Sequence, residues 1–460
     1  MGLSSMPQRN LLTVVCLSLV CLACYSKAPT NRYARVYERA LRIVDKHYVT
    51  PLDKQKLFEA SLQGMMQSLD EHSVYLPPLR LDEMNQKLEQ VYGGVGIRID
   101  FDPETHLLLV ISPILDSPAF EAGIQPGDLI VQIDGVKTKE LTADNCIARM
   151  KGPIGEMIRL TVQRSNEKTL REFNLERAQI SVPSVLGQTR NKDGSWNYLL
   201  EQDDRVLYMH ITDFGRETSS ELRQLLETDK LGYEAVVIDL RDNGGGLLET
   251  AIEVCNMFIA EGVIVSTRGR GGTLLEEFKA EPKMVIDQAI PMAILINDNS
   301  ASASEIMAGC LQDHKRAVIV GERSYGKGSV QNIISLESGK SAIKLTTASF
   351  WRPSGQNIQR SPGASEDGQW GIRPDKGFEV VFSEDDWKRY RDFRYRYSFS
   401  PGTFQPRVED QETSGDGDLT DPRPDPAPDP VDFKDRQLDR ALEYLRDKLQ
   451  KQDVVLLSPR

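Results

Sequence analysis

The chain has 460 residues, 40% of them hydrophobic and 27% charged, with a formal net charge of −12. This describes a globular protein of two or three domains. The acidic balance argues against nucleic acid as the main partner, because phosphate binding needs a basic face.

Arg9 precedes an apolar run, Leu11 to Ala23. The run falls short of the roughly 20 apolar residues that span a bilayer. A basic start, a short apolar stretch and a small residue at its end read as an export signal covering residues 1–24. Cys24 stands where a bacterial lipoprotein signal carries its lipidated cysteine, although Cys21 occupies a position where that pattern prefers Leu. Cys146, Cys255 and Cys310 are scattered through apolar patterns. Their spacing fits neither a disulfide framework nor a structural metal site, and buried inert thiols are expected.

Helical periodicity runs from Arg32 to Tyr48, with Val36, Ala40, Ile43 and Val44 on one face, and again from Leu57 to Leu69. From Met84 to Arg164 the texture turns to short β-rich runs: GGVGIRI, LLLVISP, DLIVQIDG and IRLTVQR. Within it, the loop Gly93-Gly94-Val95-Gly96-Ile97 leads into a strand. Such a loop can offer backbone N–H groups to a peptide carboxylate, although an ordinary turn and hairpin read the same way. From Gln179 to Phe382 strands alternate with helices, which predicts an α/β layer around a largely parallel sheet. Pro401 to Lys434 is Pro- and Asp-rich and reads as a solvated linker. An amphipathic helix follows from Asp435, with Leu438, Ala441, Leu442, Leu445 and Leu449 in one stripe. The stripe predicts either docking on the body of the protein or association with another chain.

Three stretches of the α/β region invite chemistry. In NDNSASASEIMAG, Asn297 to Gly309, an apolar strand feeds a turn of small residues and then a helix. A serine on such a turn is exposed, and N–H groups at the helix start can meet an oxyanion. A Ser-rich N-cap accounts for the same pattern without chemistry. In GERSYGKGSVQ, Gly321 to Gln331, Lys327 lies between two glycines. This is not a phosphate-binding P-loop, because Gly328 occupies the Ser/Thr position. In VIDLRDNGGGLL a strand ends in glycines that could aim N–H groups at a developing negative charge. None of the five histidines sits in a setting typical of a base: His210 falls inside a strand, and His314 at a helix end is expected at the surface. A serine nucleophile here would need a lysine base. With an ordinary pKa near 10.4, only about one lysine in 2,500 is neutral at pH 7, so that lysine should be desolvated, with few anions nearby.

Taken together, these motifs resemble the carboxy-terminal processing proteases, also called tail-specific proteases. The resemblance spans roughly Arg32 to Phe382 and includes SLDEHSVYL, GGVGI, SPAFEAGIQPGDLIVQIDG, DLRDNGGGLL, SASASEIMAG, GERSYGKGSVQ, RPSGQNIQ and GIRPD. It implies a multidomain α/β protein: an N-terminal helical region over 25–80, a β-rich PDZ domain over 81–166 inserted before a crotonase-like catalytic core over 175–395, the linker over 401–434, and the last helix over 435–460. It implies Ser302 as nucleophile, Lys327 as base and Gln331 as its polar support. The N–H groups of Ala303 and of Gly245 or Gly246 would form the oxyanion hole, and Gly93 to Ile97 the PDZ carboxylate loop. Gly244 stands where many members have proline. The function so implied is a serine endopeptidase acting on protein substrates with exposed, apolar C-termini, without metal or cofactor. It would be exported to a bacterial periplasm or cell envelope. Membrane attachment through the signal or a lipid, and homo-oligomerisation, are compatible with the sequence. A dead protease fold serving as a PDZ scaffold or peptide-binding protein is the alternative, and the intact Ser302, Lys327 and Gln331 speak against it.

Overall fold

The computed structural model describes residues 31–101, 106, 108–164, 169–228, 231–397 and 433–457. The segment 1–24 expected to be an export signal, with Cys24, and nearly all of the expected 401–434 linker lie outside the described residues. The chain forms two compact units, divided after Tyr75.

The first unit holds helices α1, Arg32–His47, and α2, Lys54–Gln67. Asn31 caps α1 through the Tyr33 N–H, and Asp53 caps α2 through those of Gln55 and Lys56. The α1 periodicity is real, yet Val36, Ile43 and Val44 on its apolar face are exposed. The Asp70 carboxylate accepts from the N–H groups of His72 and Ser73 and from the Ser73 hydroxyl, which fixes the DEHS turn.

In the second unit, β1, Val91–Gly94, pairs antiparallel with β7, Ala178–Ser181. This ribbon ties together the entry and exit of an inserted domain. Its sheet contains β2, Ile97–Phe101, β3, Leu108–Pro113, β4, Leu129–Ile133, β5, Met157–Gln163, and β6, Leu170–Glu176, with β2 on the edge. The last strand lies beyond residue 166. A buried core of Leu108, Val110, Ile130, Ile133, Leu160 and Val162 holds the domain together, and Cys146 packs into it.

The larger sheet is parallel through β8, Asp203–Ile211, β9, Ala235–Asp239, β10, Met292–Ile296, and β11, Val318–Gly321, side by side in that order. Alternate side chains point to opposite faces. Leu207, Met209, Val236, Ile238, Ile294, Ile296 and Ile319 face α3, Thr218–Leu226, α4, Leu248–Asn256, and α5, Ala303–Asp313. Val206, Tyr208, Ala235, Val237, Ala293, Leu295, Val318 and Val320 face α7, Arg436–Leu457, whose leucine stripe is buried there. Burial on both faces explains the unbroken apolar runs of these strands. The stripe therefore docks on the protein's own sheet. Helix α6, Glu384–Tyr397, was not expected from sequence. Nor was the hairpin of β12, Ser329–Leu336, and β13, Ser341–Trp351.

Candidate active site

Ser302 sits between β10 and α5 with φ 56° and ψ −113°. A serine that merely caps a helix adopts an extended backbone. A positive φ on a residue with a Cβ costs on the order of 1–3 kcal/mol and persists only where surrounding contacts hold it.

Glu305 supplies those contacts. It is 1% exposed, and its two oxygens accept four hydrogen bonds. Oε2 takes the N–H of Ser302 at 2.8 Å and of Lys327 at 2.9 Å. Oε1 takes the Ser324 hydroxyl at 2.6 Å and the N–H of Gly326 at 2.7 Å. Burial pushes its carboxyl pKa up, against the pull of these bonds. One buried carboxylate thus straps the serine turn to the lysine loop. The sequence reading missed it. Its signal was the Ser-x-x-Glu spacing of 302 and 305, which reads as a capping box.

The lysine loop is held from its other side. The Gly326 carbonyl accepts from the Arg360 N–H, and the Gly328 N–H donates to the Gln359 side chain. A Cβ on Gly326 would lie 2.8 Å from Arg360, and one on Gly328 2.7 Å from the Gln359 nitrogen. Both glycines flanking Lys327 are therefore required by close approach: Asn357 and Gln359 of RPSGQNIQ pack on Gly328, and the following Arg360, with Trp370, packs on Gly326. Lys327 is half-buried rather than sealed, and a carboxylate lies on its own backbone N–H. Gln331, on β12, donates to Ser329 Oγ at 2.8 Å and Thr346 Oγ1 at 3.2 Å.

The glycine turn packs directly on the serine. A Cβ on Gly245 would fall 2.8 Å from the Ser302 Cβ and 2.9 Å from the Ala303 nitrogen. The Gly245 N–H, however, already donates to Asn243 Oδ1 at 2.8 Å. The Phe214 N–H donates to the Gly245 carbonyl and the Leu247 N–H to the Phe214 carbonyl, so the Gly246 N–H points away from Phe214. Among the described residues neither it nor the Ala303 N–H has an acceptor. Of the two glycines named from sequence, Gly246 is the one with a donor to offer.

In the inserted domain, the carbonyls of Val95 and Gly96 accept from Ala119 and Ile114. In a trans peptide the N–H points opposite to its carbonyl, so those of Gly96 and Ile97 face outward. Gly96 has φ 75°, and a Cβ there would lie 2.2 Å from that of Ser117. Gly93 and Gly94 instead pair with Gln179 and Ala178 in the β1–β7 ribbon.

His210 and His314 are engaged with groups outside the serine and lysine turns. His210 Nδ1 lies 2.7 Å from Arg394 Nη2, and Nε2 3.4 Å from the Arg241 carbonyl. Burial, reinforced by Arg394, pushes its pKa down to about 4. His314, expected at the surface, is half-buried with Nε2 against the Val263 carbonyl at 2.8 Å. Cys146, Cys255 and Cys310 are buried and free. Among the described residues no cluster of His, Cys, Asp or Glu could hold a metal ion.

Residues 205–376 match the family model of peptidase family S41, and residues 109–164 that of the PDZ domain. A carboxy-terminal-processing protease of Bartonella bacilliformis is 39% identical over 77% of this chain and 78% of its own. A carboxyl-terminal-processing protease of Synechocystis is 33% identical over 74% and 76%. The chain belongs to the carboxy-terminal processing protease family. It is a multidomain α/β serine-type peptidase with a PDZ domain, and proteins are its substrates. Among solved structures, the photosystem II D1 C-terminal processing protease is 26% identical, covering 76% of this chain and 94% of that one, with a TM-score of 0.41.

Proposed function

We propose that the protein is an endopeptidase of the C-terminal processing type, with Ser302 as nucleophile and Lys327 as general base. The observation that carries the pairing is the Glu305 strap, which bonds the backbone N–H of both residues. In the neutral form, Lys327 Nζ takes the Ser302 proton as Oγ attacks the scissile carbonyl carbon. The oxyanion meets the N–H groups of Ala303 and Gly246. Collapse breaks the C–N bond, and the lysine ammonium returns its proton to the departing amine. Water activated by the same lysine then hydrolyses the acyl-enzyme. Gln331 donates its amide to Ser329 and Thr346, which leaves its Oε1 to orient the amine without adding charge. The reaction so written needs no metal or cofactor.

The PDZ loop Val95–Ile97, which follows the Gly93–Gly94 strand end, binds the substrate's C-terminal carboxylate through the outward N–H groups of Gly96 and Ile97. The chain then adds as a strand to the open edge of β2. Apolar C-terminal residues suit this loop, since its Val95 and Ile97 belong to the domain's apolar core. Export to the periplasm or cell envelope, with anchoring through Cys24, is proposed from residues 1–24 alone.

The test is degradation of a flexible protein with an apolar C-terminus by wild type, Ser302→Ala and Lys327→Ala. Both variants should fold and lose turnover by at least about a thousandfold. Near-normal turnover by Lys327→Ala would remove the base. A wild type that binds the tail without cutting would favour the scaffold alternative.

A further inference from the structure

Helix α7 does two different things along its length. Its stripe from Leu438 to Leu449 covers the parallel sheet by apolar contact. Its first turn instead enters a buried polar cluster around Arg241, which precedes the glycine turn in the chain.

Arg241, 1% exposed, is the centre of that cluster. Its Nε and Nη2 bond Asp239, with Nη2 2.6 Å from Oδ2. The same Nη2 lies 2.9 Å from Asp435 Oδ2, and Nη1 3.1 Å from both Asp435 Oδ1 and Gln437 Oε1. Asp435 also caps α7, accepting from the N–H groups of Gln437 and Leu438. Gln437, wholly buried, anchors its amide on the Val380 carbonyl at 2.8 Å. The Tyr390 ring lies 4.3 Å from the guanidinium. The N-cap of the last helix is therefore also a counter-ion of Arg241. Without Asp435 and Gln437, Nη1 loses both of its acceptors in a dry site.

Arg241 leads directly into the turn that flanks the nucleophile. The Asp242 N–H donates to Asn297 Oδ1 at 2.9 Å. The Asn243 carbonyl accepts from the Ala301 N–H at 3.0 Å and the Ser304 hydroxyl at 2.9 Å. Asp435 thus connects to both sides of Ser302 through one side chain and two residues of backbone. A buried ion pair is a poor way to gain stability, since desolvation offsets most of its attraction, and fixing one geometry is its better-attested use.

We propose that Asp435 and Gln437 are positioning residues for the peptidase reaction: the C-terminal helix completes the active site by holding, through Arg241, the turn that carries the Gly246 donor. This rests on the reading of Ser302 and Gly246 as reaction centre. The step it affects is oxyanion stabilisation, so kcat should fall and substrate capture should not.

The test compares full-length Asp435→Asn, Gln437→Met and Leu445→Ala in cleavage of the tailed substrate. Asp435→Asn keeps a competent helix cap, Gln437→Met leaves the cap untouched, and Leu445→Ala loosens the apolar contact alone. The first two should lower kcat at least tenfold with KM within twofold when assayed below their own Tm, even though each also loses some Tm through the unpaired guanidinium. Leu445→Ala should lose Tm and keep kcat. If Asp435→Asn does not fold, Gln437→Met decides by the same criterion. Wild-type kcat in the first two, or kcat losses that track Tm across all three, would overturn the proposal. Turnover surviving in Ser302→Ala, run alongside, would instead sink the underlying assignment of the site.

Discussion

The serine turn and the Val95–Ile97 loop of the PDZ domain are both small-residue turns, but they are held by different means. The serine turn puts the positive φ on Ser302, a residue with a side chain, and holds it through the buried carboxylate of Glu305. Buried Asn243, Asn297, Ser300 and Ser304 surround it. The PDZ loop puts its positive φ on Gly96, where it costs little, and relies on two backbone hydrogen bonds and the Ser117 hydroxyl. The role proposed for the PDZ loop needs only its backbone in place. The role proposed for the serine turn also needs one side-chain oxygen fixed, and strain held by a buried network achieves that.

Substitutions can break this contrast. Outside the proposed Ser302–Lys327 pair, the largest effect is expected at Glu305. Glu305→Ala strips the acceptors from four donors and leaves a polar void, so kcat should fall at least a hundredfold and Tm should drop. Removing buried partners costs about 1–3 kcal/mol each. Glu305→Gln keeps only one acceptor oxygen and should rescue little. Wild-type turnover in either variant would mean that the strap does not set the geometry.

Gly245→Ala is next. Its Cβ would collide with Ser302 and Ala303 at φ 103°. A loss of kcat of about ten- to a hundredfold is expected, with the same factor on tailed and untailed peptides. Gly96→Ala sharpens the comparison from the other side. It should raise KM for the tailed substrate about tenfold and leave kcat on a short untailed peptide unchanged. Equal damage to both substrates would show that the two loops are not separable.

The smallest effect concerns pH. His210 has its folded pKa lowered to about 4 by burial and by Arg394. The unfolded chain therefore takes up this proton first as pH falls below the ordinary value near 6.5. Stability contributed by the neutral ring is present above about 6.5 and declines toward pH 4. Calorimetry should give a Tm loss on the order of 5 °C across that window, and His210→Gln should flatten it.

Much of the fold was legible because it depends on short-range periodicity. The apolar runs of β8 to β11 and the helical stripes of α3 to α5 announce a parallel sheet covered by helices. Candidate site residues were legible where small residues cluster on turns, at 244–246, 300–304 and 326–328. Other features were not. Which N–H of the glycine turn is available depends on Asn243 and Phe214, and no local pattern encodes that. Glu305 reads locally as a capping residue, and only the approach of the 324–327 loop turns its carboxylate into a strap.

The last helix draws the line between sequence and tertiary structure. Its amphipathic stripe and its Asp435 cap follow from local chemistry: side-chain spacing on a helix and the orphan N–H groups at its start. Where the stripe lies, and that the cap meets Arg241 from nearly two hundred residues away, was decided by the sheet. An apolar face specifies that it must be covered, not by what, because hydrophobic attraction has no direction. Buried hydrogen bonds do have direction, and their partners exist only once the chain has folded.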